Sequence, residues 1–172
     1  MTAIKPYLAI FCMRFRLMLQ YRAAAAAGFG CQLFWGLIRM MIFAAFYRVA
    51  TGDQPMTYDQ VVTYIWLGQA TILLVIFRPD AEVQAMIHTG SVAYEMLRPI
   101  DVYFNWYARA VAARTSPVLL RAVPMFLVAG LFFGLQPPAS WLAGRLWGVA
   151  TIGAILLSAA FANLLTMLMV GT

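Results

Sequence analysis

Four apolar segments, each near the length of a membrane-spanning helix, constrain this chain more than any other feature of its sequence. A helix that crosses a bilayer needs about 20 predominantly apolar residues. Hydrophobic residues fill 64% of the 172 positions and charged residues only 10%, which exceeds what a soluble core of this size could bury. The sequence therefore predicts an all-α, polytopic helical membrane protein. Residues 1–172 are expected to form a single membrane domain with spans at residues 23–47, 61–77, 118–135 and 146–170.

The segment before the first span, residues 5–22, resembles a signal peptide in outline but not in charge. Arg14 and Arg16 stand between its apolar residues and the small residues that follow, where a cleaved signal carries no charge. Pro6 suits the first turn of a helix, and arginine side chains can reach from an apolar surface to water. The segment is therefore predicted to be a helix that lies in the membrane interface and contacts lipid.

The positions of lysine and arginine predict the orientation of the spans, because these residues resist translocation. Four of the twelve lysine and arginine residues precede the first span, and four lie between the second and third spans. The connection after the first span holds two acids and only Arg48 at its edge, and the turn at residues 136–144, between the third and fourth spans, carries no charge. Both chain ends and the connection between the second and third spans are predicted to be cytoplasmic.

Several kinds of chemistry lack the residues that they require. A P-loop needs a lysine after its glycines. The only lysine is Lys5, and no glycine precedes it. All six acids fall in predicted connections, so none is placed to couple transport to protons or sodium. A single histidine, His88, supplies neither a metal cluster nor a catalytic pair. No catalytic, metal-binding or cofactor-binding residue is predicted, and the dispersed cations give no nucleic-acid surface.

The connection at residues 78–102 is the most informative polar stretch. Proline and two acids near its start favour a short helix over residues 78–88, and Gly90 is a suitable stop. A second short helix is expected over residues 91–97, closed by Pro99, because the residue before a proline disfavours helix. The two helices together predict a compact hairpin on the cytoplasmic surface.

This hairpin carries a resemblance to a known family. Isoleucine at 87, glycine at 90 and the run Leu97, Arg98 and Pro99 resemble the permease subunits of ATP-binding cassette exporters of the second type, in their poorly characterised bacterial branch. The order of an interfacial helix, a long first span, a short outer loop and a second span is similar as well. Such permeases usually have six spans, whereas four are predicted here, so the resemblance implies a fragment, a truncated gene product or a shorter member of the family.

The resemblance implies partners, a location and a role for the hairpin. It implies a permease subunit in the bacterial cytoplasmic (inner) membrane, paired with a second permease subunit, and a separate cytoplasmic nucleotide-binding ATPase subunit that binds ATP. The hairpin would be the coupling element that docks on this ATPase; the alternative is a solvated connection with ordinary helix caps. The implied contact residues are Val83, Met86, Ile87, Gly90, Glu95, Leu97, Arg98 and Pro99.

Two arginines fall inside predicted spans. A cation at the centre of a span costs about 2.5 to 3.5 kcal/mol on insertion scales. Arg39 either extends toward the outer interface or faces an anionic or zwitterionic substrate in a translocation path. Arg121 is expected to reach the inner headgroups without a functional role. A non-transporting scaffold is the main alternative to a permease, and a passive channel ranks third because no span carries a polar stripe.

Overall fold

The computed structural model describes residues 4–75 and 78–170, and in this part of the chain helices are joined by turns and irregular connections, with no strand. The predicted all-α class is confirmed. The helices in chain order are α1 (Lys5–Leu19), α2 (Arg22–Val49), α3 (Tyr58–Thr71) with a 3₁₀ turn at Ile72–Val75, α4 (Ala81–His88), α5 (Val92–Met96), α6 (Val102–Phe132) and α7 (Trp141–Val170).

Three of these helices, α2, α6 and α7, are long and apolar enough to cross a membrane. Their 28, 31 and 30 residues correspond to about 42 to 47 Å at 1.5 Å per residue. They match the first, third and fourth predicted spans. The second predicted span, residues 61–77, falls on α3 and the 3₁₀ turn, and its last two residues lie outside the described residues. With 14 residues, α3 alone is shorter than a spanning helix. The second span therefore stays a prediction.

The helices α6 and α7 begin well before the predicted spans at 118 and 146, and polar caps precede their first turns. Asp101 Oδ1 accepts a hydrogen bond of 3.0 Å from the Phe104 amide at the start of α6, and Ser140 Oγ accepts one of 3.1 Å from the Ala143 amide at the start of α7. At its other end α6 stops before Gly134, whose φ of +65° is a left-handed conformation that suits a position after a helix.

The chain divides into two compact units. The first unit comprises Met1–Gln20, Leu74–Ser116 and Val149–Thr172, and the second comprises Tyr21–Leu73 and Pro117–Gly148. The helices α6 and α7 each contribute residues to both.

In the first unit, one face of α7 is buried through small and polar side chains. The Arg114 Nε donates to Ser158 Oγ at 2.8 Å, and the Asn163 side-chain amide donates to the Tyr103 carbonyl at 3.2 Å. Residues three and four apart share a helix face, so the buried residues of α7 form a continuous stripe along it. The buried residues of this stripe are Ser158, Ala159, Ala162, Asn163 and Thr166.

In the second unit, α3 supplies the most buried face. Its start is fixed by a capping box, in which Thr57 Oγ1 accepts from the Gln60 amide and Gln60 Oε1 accepts from the Thr57 amide at 2.9 Å. Trp66 is fully buried, and its ring stacks on that of Phe133 with centroids 4.8 Å apart. The other buried residues of this face are Val61, Val62, Ile65, Gln69 and Ala70.

Candidate functional site

The site begins with two short helices, α4 and α5, which lie in the first unit where the sequence analysis placed a hairpin. Asp80 caps α4, and its Oδ1 accepts a hydrogen bond of 2.9 Å from the Glu82 amide. The helix therefore begins at Ala81, slightly later than predicted. Gly90 has a φ of +72° between the two helices, a left-handed conformation that a residue with a side chain rarely adopts.

A network of charged side chains holds these helices in place. Arg109 on α6 lies 3.4 Å from Asp80, 2.7 Å from Glu82 and 3.6 Å from Glu95 through its three guanidinium nitrogens. Arg14 on α1 pairs with Glu82 and lies 3.6 Å from Asp80. Two arginines thus contact three acids. These contacts join α1, α4 with its cap residue, α5 and α6 within one unit.

Glu95 is the most buried acid of the network, with 7% of its surface exposed. The Trp106 indole N–H donates to its Oε2 at 2.8 Å, and the Asn105 amide donates to the same oxygen at 3.5 Å. Its Oε1 lies 3.5 Å from the guanidinium of Arg98, whose side chain is 61% exposed. Both carboxylate oxygens of Glu95 are therefore occupied within the first unit.

The burial of Arg14 and Arg109 makes the network sensitive to the loss of either residue. Their side chains are 9% and 11% exposed, and Asp80 is 14% exposed, whereas Glu82 is 56% exposed. Removing one partner of a buried pair leaves the other charge uncompensated, which costs far more than breaking an ion pair in water. The network is therefore a rigid attachment of α4 and α5 to α1 and α6.

The predicted contact residues divide into buried and accessible groups. Val83 is fully buried and Glu95 nearly so, and their side chains pack inside the first unit. Met86 and Ile87 are half-buried. Gly90, Leu97, Arg98 and Pro99 are exposed. Two exposed residues that the sequence analysis did not identify, Tyr94 and Met96, extend this accessible group. We define the α5 patch as Tyr94, Met96, Leu97, Arg98 and Pro99.

The division follows from the geometry of α5. Successive residues of a helix point in directions about 100° apart, so a helix that turns Glu95 inward presents the residues on either side of it to the surroundings. The inward direction of Glu95 depends on Trp106 and Arg109, which lie on α6. A sequence pattern within α5 alone contains no signal for this direction.

The two arginines inside predicted spans both lie in the second unit. Arg39 is exposed on α2, and both of its proposed roles stay predictions. Arg121 is half-buried on α6, and its guanidinium lies against the backbone of α2 at Gly28. Among residues 4–75 and 78–170, no three His, Cys, Asp or Glu residues are grouped as a metal site would require.

Comparisons of the chain with models of protein families, with curated proteins and with solved structures find no match. The resemblance to exporter permeases therefore depends on the residues at positions 87–99 and on the order of the segments around them.

Proposed function

We propose that this chain is a membrane permease subunit of an ATP-driven ABC exporter and that the α5 patch docks on a separate cytoplasmic nucleotide-binding subunit. The observation that carries the proposal is the charged network around Arg109, because it gives the segment next to the patch a stiff connection to α6. A second permease subunit would complete the export path, and the bacterial inner membrane is the location that fits this role.

A coupling element must transmit a displacement rather than absorb it. Coupling between distant sites is carried by ion-pair networks and rigid secondary structure. Here α4 and α5 are bound through Asp80 and Glu95 to Arg109, which lies on the part of α6 that belongs to the first unit. A partner that moves α5 would therefore move this part of α6 as well, which supports the coupling role over that of a solvated connection.

The composition of the α5 patch supports a protein partner. Tyr94 is 75% exposed and Leu97 81% exposed, beside the exposed cation Arg98. Aromatic residues, methionine and arginine are enriched at protein interfaces, and apolar groups clustered on a polar surface commonly mark such a site.

The proposed topology requires that α3 and the 3₁₀ turn cross the bilayer together. The 14 residues of α3 rise about 21 Å at 1.5 Å per residue. The four residues of the 3₁₀ turn add about 8 Å at 2.0 Å per residue. The sum of about 29 Å is close to the hydrocarbon thickness of about 30 Å. Four crossings would place α1 and the α5 patch on the same, cation-rich side.

The substitution Leu97→Asp tests the docking role. We expect it to lower both ATPase binding and ATPase stimulation by about tenfold or more, because it puts a charge into the apolar centre of the interface. The tagged chain would be purified with its partners from its own host, and the partners identified by mass spectrometry. Phosphate release would then be measured after reconstitution into vesicles of host lipid.

The matched control is Val49→Asp, which makes the same change at a residue that is 78% exposed at the end of α2. This variant should bind and stimulate the ATPase as the unaltered chain does. A chain that purifies without any P-loop ATPase, or a Leu97→Asp variant that stimulates normally, would contradict the proposal. An ATPase that binds but drives no transport would favour the scaffold.

A further inference from the structure

The helix α1 has an inward and an outward face, and its contacts within the first unit show which side chains point inward. The Asp101 amide donates to the Tyr7 hydroxyl at 3.2 Å. Ser116 Oγ donates to the Phe15 carbonyl at 3.3 Å. Arg14, on the same side, pairs with the two acids at the start of α4. These contacts hold the inward face of α1 against the starts of α4 and α6.

The outward face of α1 combines apolar side chains with cations. Leu8 and Met13 are 59% and 65% exposed. Lys5 and Arg16, near the two ends of the helix, are exposed as well. Because residues three and four apart are neighbours on a helix, the exposed residues form one continuous surface. We define the α1 face as Lys5, Leu8, Ala9, Cys12, Met13, Arg16, Leu17 and Gln20.

An open groove of about 530 Å³ lies on this face. Ligand sites in proteins commonly have volumes of about 300 to 1,000 Å³. Arg16 and Gln20, one helix turn apart, supply the N–H donors of its lining. Its other lining residues are Ala9, Cys12, Met13 and Leu17. The groove therefore has an apolar wall with a guanidinium and an amide at one end.

The positive charge of the α1 face is not balanced by acids of the chain. The helix contains no aspartate or glutamate. No ion pair of Lys5 or Arg16 occurs among residues 4–75 and 78–170, whereas Arg14 on the inward face is paired twice. The guanidinium of Arg16 is therefore available for an external anion, and phosphate oxygens suit its geometry.

The position of α1 in the chain identifies the source of this anion. Only two residues separate α1 from α2, a helix long and apolar enough to cross a membrane. Insertion of the apolar side chains alone would hold α1 at any bilayer surface. The unpaired cations add a preference for negative headgroups, worth about fivefold in affinity for each cation near an anionic surface.

We propose that the α1 face is a binding site for an anionic phospholipid of the bilayer. Arg16 and Gln20 donate hydrogen bonds to the phosphate, and an acyl chain lies against Ala9, Met13 and Leu17. Lys5 is about 16 Å from Arg16 along the helix axis, the rise of eleven residues, and contacts a second headgroup. The site is independent of the coupling proposal, because no residue of the α5 patch and no ATPase takes part in it.

Cys12 provides a local reporter for the test, because its thiol is exposed and lines the groove. The full chain carrying Cys31→Ser is kept in a nonionic detergent, and the rate of Cys12 alkylation by N-ethylmaleimide is measured. Dioctanoyl phosphatidylglycerol, dioctanoyl phosphatidylcholine and inorganic phosphate are titrated separately. We expect phosphatidylglycerol to slow alkylation saturably and phosphatidylcholine to require an at least fivefold higher concentration.

Two variants of the α1 face test the roles of its residues. Arg16→Gln should raise the phosphatidylglycerol concentration for half protection by about fivefold. Met13→Asp should raise it as well, because the added carboxylate repels the phosphate and interrupts the apolar wall. The control Arg145→Gln removes the same charge at an exposed position of α7 and should leave protection unchanged. Alkylation of Cys31, in a Cys12→Ser chain, should not distinguish the two lipids.

Each outcome decides one part of the proposal. Equal protection by phosphatidylcholine would overturn the preference for a negative headgroup. Equal protection by inorganic phosphate would replace the lipid with a free anion. An alkylation rate that no lipid changes, or protection that neither variant weakens, would overturn the site itself. If Arg16→Gln fails to fold, Met13→Asp, which leaves every cation in place, decides the result.

Discussion

The substitution Arg109→Met should lower the free energy of unfolding by about 3 to 5 kcal/mol, the range measured when one partner of a buried ion pair is removed. Methionine keeps much of the length and apolar volume of the side chain but leaves Asp80 and Glu95 without their shared cation. Glu82 adds little to this loss, because its side chain is 56% exposed and water can solvate it. Unfolding in mixed micelles of rising sodium dodecyl sulfate content would measure the change.

The matched control is Arg98→Met, which removes the other arginine that contacts Glu95. The Arg98 side chain is 61% exposed, so its loss should cost no more than about 1 kcal/mol. A double variant, Arg109→Met with Glu95→Gln, should regain part of the lost stability because it removes the buried negative charge as well. Equal losses for Arg109→Met and Arg98→Met would show that burial of the network does not determine its contribution.

The sequence predicted most helices because their signals are local. Apolar runs of spanning length indicated α2, α6 and α7, and a proline and two acids followed by Gly90 indicated α4. The early start of α6 was missed, because the arginines after Val102 indicated a cytoplasmic connection. The alanine content of the same stretch favours helix, and that propensity was the available signal.

The candidate coupling site was only partly predictable. The order of residues indicated which segment to consider, and the exposure of Leu97 and Arg98 agrees with a contact surface. The burial of Glu95 depends on residues of another helix, and Arg14 and Arg109 are 68 and 27 positions away from Glu82, which both contact. Pairings over such distances leave no pattern within a single segment.

The position of Arg121 could not be predicted for a related reason. Its contact with Gly28 arises only where α2 and α6 pack together, so the sequence of α6 alone led to the expectation that the side chain extends toward lipid headgroups. The contact exists in the tertiary structure and not in any one element.

The substitution Gly36→Ala is expected to destabilise the second unit by about 1 to 3 kcal/mol, the usual cost of overfilling a packed core. The added methyl carbon would lie 2.6 Å from Cζ3 and 2.9 Å from Cη2 of Trp66. The indole ring cannot withdraw easily, because it is fully buried and stacked on Phe133. The loss should appear as a lower melting temperature in detergent and as faster proteolysis.

The control on the same helix is Gly30→Ala, where a methyl group would meet no atom within 4 Å. Alanine is favoured over glycine in a helix by about 1 kcal/mol, so this variant should be at least as stable as the unaltered chain. Trp66→Phe should partly restore the Gly36→Ala variant, because the smaller ring removes the atoms that overlap the methyl group. If Gly36→Ala is tolerated as well as Gly30→Ala, then α2 and α3 do not pack as closely as the contact of Gly36 with Trp66 requires.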